Sequence, residues 1–66
     1  MILNVYKLKA ANPQYRPDAE IVIAHCCASK ACQMAEDATN CALSIVETLG
    51  EQEMDVPEII SNTFEK

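Results

Sequence analysis

The chain reads as an α+β domain in which a two-stranded antiparallel sheet is packed by one long helix, with a short helix to follow. Three observations carry that reading. Two stretches rich in β-branched and aromatic residues, about 2–9 and 19–26, flank a connection containing Pro13 and Pro17. A longer stretch, about 30–49, repeats its apolar residues at helical spacing between Ser29, suited to an N-cap, and Gly50, suited to a C-terminal stop. Finally, 66 residues with half of them apolar and a single glycine have the composition of one folded domain with a small core, 1–66.

The first strand, ILNVYKLK, places Leu3 and Val5 on one face and Ile2, Tyr6 and Leu8 on the other. Apolar residues on both faces predict that the helix covers one and that the second is partly covered, with a partner chain as the candidate cover. The connection 10–18 is long for a hairpin, and its prolines hold Asn12 and Arg16 toward extended backbone. In the second strand Ile21, Val22, Ile23 and Ala24 are consecutive, which fits a strand covered on both sides.

Along the helix, steps of 100° gather Ala31, Ala35, Ala38, Ala42, Ile45, Val46 and Leu49 on one broad face, flanked by Met34 and Cys41. The alanines let the helix axis lie close to the sheet. Gln33, Glu36, Asp37, Asn40, Ser44, Glu47 and Thr48 share the opposite face, and Leu43 projects beside them as a candidate exposed anchor. Beyond Gly50, Asp55-Val56-Pro57-Glu58 resembles a capped helix start, and Val56, Ile59, Ile60 and Thr63 keep helical spacing over about 56–64. The alternative there is a third strand, Glu58 to Phe64, because Ile, Thr and Phe also suit strands.

The net charge of −5 is unevenly distributed. Residues 1–30 carry Lys7, Lys9, Arg16 and Lys30 against Asp18 and Glu20, whereas residues 31–66 carry eight acids against Lys66 alone. Direct nucleic-acid binding by the second half is therefore disfavoured, and a basic partner surface would be attracted to it. Glu47 and Glu51 stand four apart near the expected C-terminal end of the helix, where they repel each other and oppose the helix dipole. Folding alone does not account for acids there.

No charged leader with an apolar run opens the chain, and no segment approaches the ~20 apolar residues that span a bilayer. A cytoplasmic protein without a membrane partner is expected. In that compartment Cys26, Cys27, Cys32 and Cys41 are expected as thiols or metal ligands rather than disulfides, with bridging the lesser alternative that an even count in a short chain allows. Zinc fits them poorly, since Cys26 and Cys27 diverge on a strand while Cys32 and Cys41 lie half a turn out of phase on a helix. A Cys32 thiolate at the helix N-terminus with His25 as its base is the nearest approach to a catalytic arrangement, and its spacing is not specific. The paired acids lack an enclosing pocket, so neither an enzyme nor a cofactor is expected.

Length, strand-strand-helix order and the acid-only stretch from Ala31 to Glu65 together resemble the small acidic bacteriophage proteins of the anti-CRISPR type. The resemblance spans the chain in outline and includes no diagnostic motif. It implies a non-enzymatic inhibitor, in the host cytoplasm, that binds an RNA-guided nuclease complex and hinders target DNA. Contacts would come from Glu36, Asp37, Glu47, Glu51, Glu53 and Asp55, with Leu43 as the apolar anchor. Two other classes fit the residues: a cysteine-based redox or metal-binding protein, and a structural subunit or homodimer.

Overall fold

A computed structural model describes residues 1–12 and 14–64, so Pro13, Glu65 and Lys66 lie outside it. The element order is β1 (Ile2–Ala10), β2 (Glu20–His25), α1 (Ala28–Thr39), β3 (Leu43–Glu53) and β4 (Glu58–Asn62). The four strands form one antiparallel sheet in the order β3-β1-β2-β4.

This overturns the expected two-stranded sheet with a helix over 30–49. The helix ends at Thr39, where Asn40 enters the left-handed conformation (φ 58°) and returns its backbone N–H to the Glu36 carbonyl at 2.7 Å. Asparagine tolerates that conformation because its short polar side chain bonds locally. The following LSIVETLGEQE holds three β-branched residues and joins β1 as an 11-residue strand. Ser29 is not the cap either: Cys27 occupies that position, with extended backbone (φ −152°).

The expected helix over 56–64 is overturned too. Residues Glu58–Asn62 pair with Ala24–Ile21 on β2, so the strand alternative prevails. A helix of nine residues would have been marginal by itself, whereas the open edge of β2 offers a ladder of hydrogen bonds.

Cross-strand partners share a face, so the register sorts the side chains. Tyr6, Leu8, Ile21, Ile23 and Leu43 lie toward α1, whose Ala31 and Ala35 are fully buried against them. Two alanines one turn apart leave no bulk between helix backbone and sheet. Phe64 closes this core from the C-terminal side, with the Arg16 guanidinium 5.8 Å above its ring. On the other face Leu3, Val5 and Ala24 are buried with Val22 and Met54 packed on them. The second face of β1, for which a partner was the candidate cover, is covered in part by this chain's own connection between the two edge strands, which begins at Met54. Met54 is tied there by donating its N–H to the Met1 carbonyl at 2.8 Å.

Both edge strands are bulged. In β3 the register slips at Val46 and again at Leu49, and in β4 it slips at Ile60. Each extra residue is a large apolar one left exposed. Gly50 follows the second bulge at φ 128°, a conformation other residues adopt at a cost, and there it faces Val5. Among the described residues no helix is long and apolar enough to cross a membrane.

Candidate interaction surface

Eight consecutive exposed residues, Val46–Glu53, make up most of β3, which lies at the sheet edge with β1 as its neighbour. Glu47, Glu51 and Glu53 stand on this strand, and Asp55 follows in the connection. Glu47 lies opposite Lys7, on the face away from the helix, and their side chains pair at 3.4 Å. Glu51 lies opposite Asn4 and Glu53 opposite Ile2, both on the helix face. The amino terminus pairs with the Glu53 carboxylate. Among the described residues neither Glu51 nor Asp55 has an ion pair.

The geometry removes one sequence argument and keeps another. Glu47 and Glu51 are not one helical turn apart and sit at no helix terminus. They fall on opposite faces of a strand, so the expected repulsion and dipole conflict do not arise. The one-sided charge remains: Glu47, Glu51 and Glu53 stand on one edge strand and Asp55 in the connection leading from it, with no basic residue in that stretch of chain.

Glu36 and Asp37 lie apart from this group, in the last turns of α1. Glu36 is exposed, yet its Oε2 accepts from the Leu43 backbone N–H at 3.4 Å and from the Cys32 thiol at 3.6 Å. It therefore ties the helix to the start of β3. Asp37 lines a shallow depression with His25, Lys30, Gln33 and Met34, against which Lys30 supplies a positive charge. Leu43 is only 5% exposed and belongs to the core, so it is no surface anchor. Large apolar residues exposed near the acids include Val46 and Leu49, which the helical reading had placed on the buried face, and Ile2 and Val56.

The four cysteines are free and chemically unlike. Cys32 stands in the second helical turn rather than near the N-terminus. Desolvation pushes its thiol pKa up, and the Glu36 charge and hydrogen bond push it further. Its thiol also donates to the Leu43 carbonyl at 3.4 Å, so Cys32 is a packing residue bonded toward β3 rather than toward His25. The more acidic thiol is the one at the helix cap. Cys27 does not close a capping hydrogen bond, yet the Lys30 backbone amide is near enough to lower its pKa. The Ser29 hydroxyl, 3.7 Å from the sulfur, adds to this, as do the Cys26 side chain and the Lys30 charge. His25 turns away from this chemistry, its Nδ1 accepting the Cys26 backbone N–H at 2.8 Å. Among the described residues no three His, Cys, Asp or Glu side chains gather where a metal could sit.

Sequence reasoning includes Cys27 among the four cysteines of the redox alternative but singles out Cys32, because Ser29 looks like the cap; the cap position of Cys27 is visible only in the backbone. It missed the edge strand because the same residues satisfy helical spacing. Nothing matches the chain among protein-family models, curated proteins or solved structures.

Proposed function

We propose that the chain is a non-enzymatic binding protein that sets an acidic surface against a basic, nucleic-acid-binding surface of its partner. In this reading it acts as an inhibitor of the anti-CRISPR kind, occupying ground that DNA would otherwise take. The observation that carries the reading is the acid-only run on an exposed edge strand and the connection after it, with Glu51 and Glu53 on one face, Glu47 on the other and Asp55 beyond. Acids about 7 Å apart on a rigid strand, as Glu51 and Glu53 are at two residues' rise, approach the spacing of phosphates along a nucleic-acid strand. Glu36 is already engaged within the fold, so the acidic edge rather than the helix is the binding face.

Purified protein titrated into an RNA-guided nuclease complex should reduce its binding of target DNA in a mobility-shift assay. Glu51→Lys combined with Asp55→Lys should abolish that competition while leaving the fold intact, since neither residue has an ion partner among those described. Competition that the double variant leaves unchanged would sink the reading.

The acidified thiol of Cys27 favours a second reading, a thiol-based redox protein. Its thiolate would attack a low-molecular-weight disulfide, forming a mixed disulfide on Cys27 and releasing the other half as thiolate. Intact mass after exposure to glutathione disulfide decides it: a protein that gains no glutathione is not a thiol-exchange protein.

A further inference from the structure

The free edge of β3 has a defined polarity of main-chain groups. The Met54 N–H points to the Met1 carbonyl, and Met54 and Met1 continue the register in which Gln52 faces Leu3 and Gly50 faces Val5. In an antiparallel pair, directions alternate along the strand, so Gln52 and Gly50 turn their N–H and C=O groups inward to β1. Glu51 and Glu53 accordingly turn theirs outward. The two residues whose main chain is open to pairing are also two of the exposed acids.

We infer that this edge binds its partner by strand addition: an extended basic segment of the partner pairs with Gly50–Glu53 and extends the sheet to five strands. Main-chain hydrogen bonds from Glu51 and Glu53 supply the docking, and the carboxylates select the occupant, as alternate side chains do in added strands. The inference rests on the acidic-surface reading proposed above and specifies how that surface is used.

A second copy of this chain is the wrong occupant. Antiparallel self-pairing centred on Glu51 sets Glu51 opposite Glu51, centring on Gln52 sets it opposite Glu53, and centring on Glu53 sets Glu53 opposite itself. Like charges directly opposite destabilise a strand pair, whereas lysine or arginine at those positions stabilises it. The bulges at Val46 and Leu49 twist the strand upstream, so the regular run available to a partner is the stretch that follows them. The occupant is thus a short segment with basic residues at alternate positions.

The test uses two synthetic peptides of equal charge and length against the whole protein. One alternates lysine with valine, and the other has the same sequence with every lysine backbone nitrogen methylated, which removes the donors that face Glu51 and Glu53. The unmethylated peptide should bind and slow hydrogen exchange of the Glu51 and Glu53 amides by roughly tenfold or more at saturation. It should do so without slowing Asp37. The N-methylated peptide should bind at least about tenfold more weakly, and Glu51→Lys with Glu53→Lys should abolish binding of the unmethylated peptide. Equal affinity for the two peptides, or binding that leaves both amides unprotected, would overturn strand addition. Loss of the inference is separable from loss of the parent reading, because competition with DNA on the nuclease complex is measured independently of either peptide.

Discussion

Replacing Leu43 by alanine separates the two ways in which the central stretch could have folded. If residues 30–49 were one helix, Leu43 would stand by the polar face and Leu49 on the buried one. In the structure Leu43 is 5% exposed, packed with Leu8, Ile21 and Ala35, and Leu49 is 45% exposed. Leu43→Ala removes three carbons from the core, about 2.4 kcal/mol at roughly 0.8 kcal/mol for each. Any cavity that stays unfilled raises this into the range of about 2–5 kcal/mol. A chain of 66 residues has a total stability of roughly 3–10 kcal/mol, so the substitution should consume a large share of it. Urea denaturation followed by circular dichroism measures the loss. A thermal melt should show a midpoint lower by about 10 °C or more. Leu49→Ala, made alongside, should change stability by no more than about 0.5 kcal/mol. A loss under about 1 kcal/mol for Leu43→Ala, or a larger loss for Leu49→Ala, would refute the strand assignment and the core built on it.

Other outcomes follow from single positions. Asn40→Gly should preserve or raise stability, while Asn40→Val should cost about 1–2 kcal/mol in the same urea assay, since φ is 58° and a β-branched residue resists the left-handed region. At Gly50 an added Cβ meets nothing within 4 Å, so Gly50→Ala should be destabilising, by about 1–3 kcal/mol, purely through its backbone at φ 128°. Cys27 should react with iodoacetamide at lower pH than Cys32, because the first thiol's pKa is lowered and the second's is raised; peptide mass mapping across pH 6–9 reads the order, and a reversed order would contradict both environments. Glu36→Gln should narrow that gap by removing the charge that holds the Cys32 thiol up, which the same mapping detects as faster Cys32 labelling.

Some of this molecule is legible along the chain. The residues of β1 and β2 carry strand propensity with prolines between them, and both faces of β1 carry apolar side chains, one covered by α1 and the other in part by Met54 rather than by the partner expected there. Ala31 and Ala35 announce a helix lying close on its support. The exposed acids are likewise visible, since the absence of any lysine or arginine from Ala31 to Phe64 is a property of the sequence. Their number needs no fold; their arrangement does.

What tertiary structure alone decided lies after Asn40. Leu43 to Leu49 satisfy a helical period and carry strand propensity at once, so local preference leaves them undetermined. The choice came from partners distant in sequence. An open edge on β1 could satisfy the main chain of β3, and Leu43 could be buried against a helix that had already ended. Ile59 and its neighbours were settled in the same way by the open edge of β2. The acidic edge depends on that outcome. Only when β3 pairs on one side does its other side offer the outward main chain of Glu51 and Glu53 beside their carboxylates, a juxtaposition produced by hydrogen bonding across strands and invisible in residue order.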